Sequence, residues 1–279
     1  MDRLQQAIQK AREERDSRQV QPQSLKLTQN EHPDPVPPES VGEDLWLALP
    51  EIKIESRLIP RKRLMSFGGG ADATPYDMLR TKMLQQALSN GWRRVALTSP
   101  YSGCGKSTTA ANLAFSLGRQ EDLRTIVVDF DMRRRGLAEI LKQTGTSSMS
   151  DVIQGSVPFH EHALRYGNNV IFGLNYTATR NPAEILQSRK TIEMLEFLEA
   201  EYKPDIILFD TPPLMASDDS HGFLRNVDCA LLLAAAEETS IDHIDVAERQ
   251  LAELTNVMGI VLNKCRYISG AFGYEYGSY

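Results

Sequence analysis

From residue 95 onward the chain alternates short unbroken apolar runs with stretches whose apolar residues recur every third or fourth position. The runs are 95–97, 124–130 (RTIVVDF), 170–174, 205–209 (DIILF), 230–233 and 259–262. Their length and β-branched content predict strands. Residues 107–118, 136–141, 182–201 and 241–254 carry helical spacing. Residues 74–87, with Leu79, Met83, Leu84 and Ala87 at helical spacing, predict a helix ahead of the first core strand. Strands without polar alternation are buried on both faces, so the pattern predicts an α/β fold. It is a mostly parallel sheet with helices on both faces. Ligands in such sheets bind beyond the carboxyl ends of the strands.

Before this region the pattern changes. Residues 1–17 read as a polar helix whose narrow apolar stripe (Leu4, Ala7, Ile8, Ala11) is too thin to build a core. Residues 18–44 are polar and hold Pro33, Pro35, Pro37 and Pro38, the composition of a flexible linker. The expected globular domain is 45–265, followed by a tail at 266–279. No apolar run approaches the ~20 residues that span a bilayer, so a cytoplasmic protein is expected. The net charge of −6 speaks against nucleic acid as a partner, and three scattered cysteines give no disulfide framework.

The strand at 95–97 leads into Thr98-Ser-Pro-Tyr-Ser-Gly-Cys-Gly-Lys-Ser-Thr108 and then into a helix. This is the strand–loop–helix setting of a P-loop. Gly103 and Gly105 let the backbone curl so that several N–H groups face one anion, and the helix N-terminus adds its positive end. Lys106 reaches the β/γ-phosphates and the Ser107 hydroxyl ligates Mg²⁺. The nucleotide-binding candidates are Ser102, Gly103, Cys104, Gly105, Lys106, Ser107 and Thr108. Pro100 stands where such loops usually have their first glycine.

Two further strands end in acids. RTIVV runs into Asp129-Phe130-Asp131-Met132-Arg133, and DIILF into Asp210-Thr211-Pro212-Pro213. Carboxylates at strand ends beside a triphosphate hold Mg²⁺, directly or through water, or accept a proton from an attacking hydroxyl. Asn263, at the end of the last strand, offers a donor and an acceptor to adenine. Four of the nine tyrosines (Tyr267, Tyr274, Tyr276 and Tyr279) crowd the glycine-rich tail. The tail is either a phosphoacceptor or an aromatic segment that packs on a partner or on the domain.

Together SPYSGCGKST, DFDMRRR, SMSDVIQG, NPAEILQS, FDTPPL, GIVLNK and the tyrosine tail resemble the bacterial tyrosine kinases, the autokinases of capsular and exopolysaccharide loci, over residues 72–279. The resemblance implies a P-loop NTPase fold and an ATP- and Mg²⁺-dependent autokinase that phosphorylates its own tail. Its implied partners are a membrane polysaccharide co-polymerase that recruits it to the inner face of the membrane, further copies of itself, and a tyrosine phosphatase. It implies Lys106, Asp129, Asp131 and Arg133 as catalytic residues, Asp129 as base or near-metal acid, and Ser107, Asp131 and Asp210 around the metal. Arg133 would lie near the transferring group or a subunit contact. Where the family carries a ring-building Glu-x-x-Arg-x-x-Arg helix, this chain has Thr74, Asp77 and Arg80, so only the last arginine matches. The alternatives are an ATPase switch like the related MinD and ParA proteins and an ATP-binding regulatory module that transfers nothing. Tyr101, where the switches carry a signature lysine, favours the kinase.

Overall fold

The computed structural model describes residues 45–55, 63–216 and 218–265. The predicted N-terminal helix, the linker and the tail tyrosines Tyr267, Tyr274, Tyr276 and Tyr279 lie outside the described residues.

Among these residues one seven-stranded sheet organises the fold. Its strands are β1 (Arg94–Thr98), β2 (Thr125–Asp129), β3 (Leu164–Tyr166), β4 (Val170–Gly173), β5 (Ile206–Asp210), β6 (Cys229–Ala235) and β7 (Asn256–Asn263), in the spatial order β3-β4-β2-β5-β1-β6-β7. All neighbours are parallel except β3 and β4. The helices are α1 (Thr74–Asn90), α2 (Lys106–Gly118), α3 (Gly136–Leu141), α4 (Met149–Gln154), α5 (Phe159–His162), α6 (Pro182–Leu186), α7 (Arg189–Tyr202), α8 (Asp219–Leu224) and α9 (Ile241–Ala252).

Burial on both faces of the sheet is visible residue by residue. Ala96, Ile126, Val128, Ile207 and Phe209 pack in one core with α4, α7, α8 and α9. Their strand neighbours Val95, Leu97, Val127, Ile206 and Leu208 pack in another with α1, α2 and α3. Alternate residues of one strand thus serve opposite layers, which is why the strands read as continuous apolar runs. Helix α2 is buried on nearly every side, with Ala110, Ala111 and Ala114 letting it lie close to its neighbours.

Three features depart from the sequence pattern. The helical stretch 182–201 is two helices, because Ser188 is extended (φ −72°, ψ 154°) between α6 and α7. The Thr191 hydroxyl donates to the Ile185 carbonyl (2.6 Å), satisfying an acceptor freed by the break. Strand β3 has only three residues and carries no periodic signal; it is fixed by pairing with β4 and by residues 50–52, where Ile52 N–H donates to the Arg165 carbonyl (2.8 Å). Helix α4 starts in a capping box formed by Ser148 and Asp151 and ends at Gly155 (φ +80°).

Trp46 anchors the segment that precedes α1. It is 1% exposed, donates its indole N–H to the Tyr202 carbonyl (2.9 Å), and lies under the Arg124 guanidinium at 5.6 Å. Trp46→Ala should destabilise the domain by about 3–5 kcal/mol, read as a lower urea midpoint with an unchanged slope.

His162 bonds on both ring nitrogens, Nε2 donating to the Leu174 carbonyl (2.7 Å) and Nδ1 accepting from Ser147 (2.8 Å). Burial lowers its pKa below 6.5, so the folded ring stays neutral while the unfolded ring takes a proton. Its contribution is fully present above pH 6.5 and is lost as pH falls through the lowered folded value. Denaturant titrations at pH 5 and pH 8 should therefore show a smaller acid loss in His162→Gln than in the wild type.

Candidate functional site

The P-loop joins β1 to α2, both largely buried. Gly103 (φ +88°) and Gly105 (φ +90°) hold left-handed conformations that a β-carbon disfavours. Pro100 is tolerated because no positive φ is needed there. Lys106 is buried, and its Nζ donates to the Ser99 hydroxyl (3.0 Å), which donates in turn to the Tyr101 carbonyl (2.6 Å). Burial lowers the Lys106 pKa, and the charges of Asp210 and Asp131 work against that shift.

The β2–β5 register places the two strand-end acids side by side, Asp129 opposite Asp210. Asp210 is also in register with Leu97 of β1, which brings it to the root of the P-loop. The chain after Asp210 is pinned there. Thr211 Oγ1 donates to the Leu97 carbonyl (2.9 Å), Leu214 N–H to the Ser99 carbonyl (2.8 Å) and Met215 N–H to the Pro100 carbonyl (3.1 Å). The adjacent prolines stiffen this loop.

Both acids are fully buried. Burial, then the charges of Asp210 and Asp131, raise Asp129 well above the usual carboxylate range. Asp129 accepts from the backbone N–H groups of Asp131 (3.2 Å) and Leu137 (3.4 Å). Burial pushes Asp210 up to about 6 against the opposing pull of Lys106 and the nearby Ser107 hydroxyl, yet neither of its oxygens has a hydrogen bond of good geometry. Buried carboxylate oxygens without partners are rare and call for a cation or ordered water. A β-carbon on Gly136 would come 2.6 Å from the Ser107 hydroxyl and 3.9 Å from Asp210 Oδ2, so this glycine keeps open a space that both oxygens face. Among the described residues no three His, Cys, Asp or Glu side chains form a metal cage by themselves. The donor set fits Mg²⁺, which takes few protein ligands and completes its shell with water and phosphate.

Asp131, 7% exposed, lies just past the strand end and shares the field of Lys106 and Arg134. The two arginines that follow diverge. Arg133 makes a bidentate pair with fully buried Asp219 of α8 (2.5 and 2.9 Å). Only the carboxylate of this pair is buried; the Arg133 side chain is 49% exposed. Arg134 reaches the P-loop, donating to the Ser102 hydroxyl (2.9 Å). Cys104 is buried, its thiol donating to the Tyr101 carbonyl (3.5 Å).

Beside the loop opens a cleft of about 620 Å³, lined among others by Tyr76, Gly103, Gly105, Thr108, Thr109 and Asn263. Asn263 ties β7 to the loop, donating from Nδ2 to the Cys104 carbonyl (2.9 Å) and accepting from Lys264 N–H (2.9 Å). One amide hydrogen and one lone pair remain for another partner.

The fold therefore gathers Lys106, Ser107, Asp129, Asp131 and Asp210 at one end of the sheet, with Asn263 on its flank. It commits the Arg133 head group to Asp219. Sequence reading missed Arg134, Asp219 and Asn175. Asn175 is fully buried; it donates to the Asp129 carbonyl (2.9 Å) and accepts from Met149 N–H (3.0 Å), locking the β2 end to α4. Its position just past β4, at the carboxyl side of a parallel strand, was the available signal.

Residues 95–268, well over half of the chain, match the model of the CobQ/CobB/MinD/ParA nucleotide binding domain. The chain is 28% identical over 217 residues to the tyrosine-protein kinase YwqD of Bacillus subtilis, covering 73% of the chain and 84% of YwqD. It is 26% identical over 230 residues to AmsA of Erwinia amylovora, covering 80% of the chain but only 31% of AmsA. The chain thus spans less than a third of that longer relative. The kinase domain of Escherichia coli tyrosine kinase ETK superposes with a TM-score of 0.64 at 22% identity, covering 74% of this chain and 80% of that one, a likeness of fold.

A β-carbon at Gly105 would sit 2.3 Å from Asn263 Nδ2, whereas at Gly103 nothing lies within 4 Å. Gly105→Ala should weaken nucleotide binding at least ~tenfold, while Gly103→Ala, which carries only backbone strain of about 1–2 kcal/mol, should weaken it less. Titration with a fluorescent ADP analogue compares the two.

Proposed function

The chain belongs to the CobQ/CobB/MinD/ParA nucleotide-binding family, and from that premise we propose that it is an ATP- and Mg²⁺-dependent tyrosine autokinase of a polysaccharide export system. The observation that carries this reading is the orphaned Asp210 carboxylate paired with Asp129 beside the Lys106 cradle. A kinase needs such a site to hold a metal-bound triphosphate and to accept a proton. The similarity to YwqD supports the choice of tyrosine as acceptor.

Each residue has a part in the proposal. The P-loop N–H groups from Ser102 to Thr108 and the Lys106 ammonium hold the phosphates. Ser107, Asp131 and Asp210 hold Mg²⁺, and Asn263 faces the base from the cleft wall. ATP supplies the transferable phosphoryl group, whose bond to the β-phosphate oxygen breaks as a new bond to the tyrosine oxygen forms, leaving ADP. Asp129, with its raised proton affinity, takes the phenolic proton. The acceptors are Tyr267, Tyr274, Tyr276 and Tyr279. Each phosphate adds about −1.5 to −2 charge to the tail, enough to alter its contact with a membrane co-polymerase or another copy. A phosphatase resets it.

Self-association through the Thr74-Asp77-Arg80 face is not favoured. Arg80 donates to the Ser116 carbonyl (2.8 Å), and Asp77 accepts from Ser116 and Arg119, so these side chains hold α1 to α2 within one subunit.

Incubation of the full chain with ATP and Mg²⁺, followed by mass spectrometry, should find phosphotyrosine in the tail. Lys106→Met should reduce it at least ~hundredfold. ATP hydrolysis with no phosphotyrosine, even with a partner's cytoplasmic segment added, would favour an ATPase switch instead. Nucleotide binding with neither reaction would favour a regulatory module.

A further inference from the structure

We infer that Arg134, and not its neighbour Arg133, is the arginine that joins Lys106 in contacting the terminal phosphate of a bound nucleoside triphosphate, with Arg133 acting as a positioning residue. The inference rests on the nucleotide reading above and deepens it, since the sequence alone gives no reason to separate two adjacent arginines.

Their partners separate them. Both the Nε and the Nη2 of Arg133 are engaged by the two oxygens of Asp219, whose side chain is 0% exposed. Turning Arg133 toward a phosphate would leave a buried carboxylate without a counter-charge, the costliest state available to that pair. Asp219 is also held from the other side, because its neighbour Ser220 donates to the Pro212 carbonyl (2.7 Å) in the loop that follows Asp210. Arg133 therefore clamps the β2 loop to the β5 loop and fixes the position of Asp131 between them.

Arg134 has the opposite character. Its described partner at the loop is a neutral hydroxyl, Ser102 Oγ, in an exposed contact of 2.9 Å. Ser102 lies in the P-loop, one residue before Gly103, so the guanidinium already touches the loop that forms the anion cradle. Its charge reaches both site residues that meet phosphate and metal, opposing the Lys106 ammonium and favouring ionised Asp131. Exchanging a neutral hydroxyl for a phosphate oxygen replaces a weak acceptor by a charged one at small conformational cost. The planar guanidinium suits that acceptor. Backbone geometry keeps the head group within reach, since Arg134 N–H donates to the Asp131 carbonyl (3.0 Å) in a tight turn.

Calorimetric titration of the full chain with Mg²⁺ plus either ADP or a non-hydrolysable ATP analogue tests this. Arg134→Ala should weaken the ATP analogue roughly ten- to a hundredfold and leave ADP within about twofold, and Arg134→Lys should recover part of the loss. Arg133→Ala should weaken both ligands together and lower the melting temperature. An unchanged preference for the ATP analogue in Arg134→Ala overturns the inference, as does a preference lost only in Arg133→Ala. Wild-type protein that binds neither nucleotide overturns the site reading and the inference together. Wild-type protein that binds both but forms no phosphotyrosine overturns the kinase reading alone.

Discussion

The pairing of β2 with β5 sets Asp129 opposite Asp210, and both stand in the interior. Burial is the main cause that raises the proton affinity of both; the charge of Asp210 raises Asp129 further, and the charge of Asp131 raises both. Much of the surrounding architecture accommodates this pair. Lys106 is buried within the field of Asp210, the chain after Asp210 is bonded to the root of the P-loop, and Asn175 fixes the backbone at Asp129. A cation and a triphosphate would complete the charge balance.

Rigidity at this end of the sheet comes from many short bonds between loops rather than from any one element. The P-loop is held by Leu214 and Met215 from the β5 side, by Asn263 from β7, and by Arg134 from the β2 side. The Arg133–Asp219 pair lies behind the acids, with its carboxylate in the interior and its arginine half in solvent. Such an arrangement keeps Lys106, Asp131 and Asp210 in fixed relation while leaving an exposed arginine free to exchange partners. Phosphoryl transfer relies mainly on such placement and on charge.

Much of this was legible in the chain. The P-loop is a local motif whose glycines, lysine and hydroxyl act within a few residues of one another, so strand, loop and helix could be read together. Asp129 and Asp210 were legible because each closes an apolar run, and parallel strands bring such ends to one side. The partners of Arg133 and Arg134 were not legible, because they lie 86 and 32 residues away and nothing local distinguishes one arginine from the other. Asn175 escaped for the same reason. Strand β3 was too short to show a period, and the break at Ser188 was masked because helical spacing continues across it.

The sequence by itself determined the layer order, the two-faced burial of the strands and the chemical identity of the phosphate loop. These follow from periodicity and from residues that act next to one another. The tertiary structure decided which carboxylate is left unpartnered, which arginine is tied to a buried carboxylate and which reaches the P-loop, and that Asn263 braces the loop it flanks. Those outcomes depend on the sheet order β4-β2-β5-β1-β6-β7. Strand order is a matter of how crossovers pack against one another, and a local pattern of apolar and polar residues does not encode it.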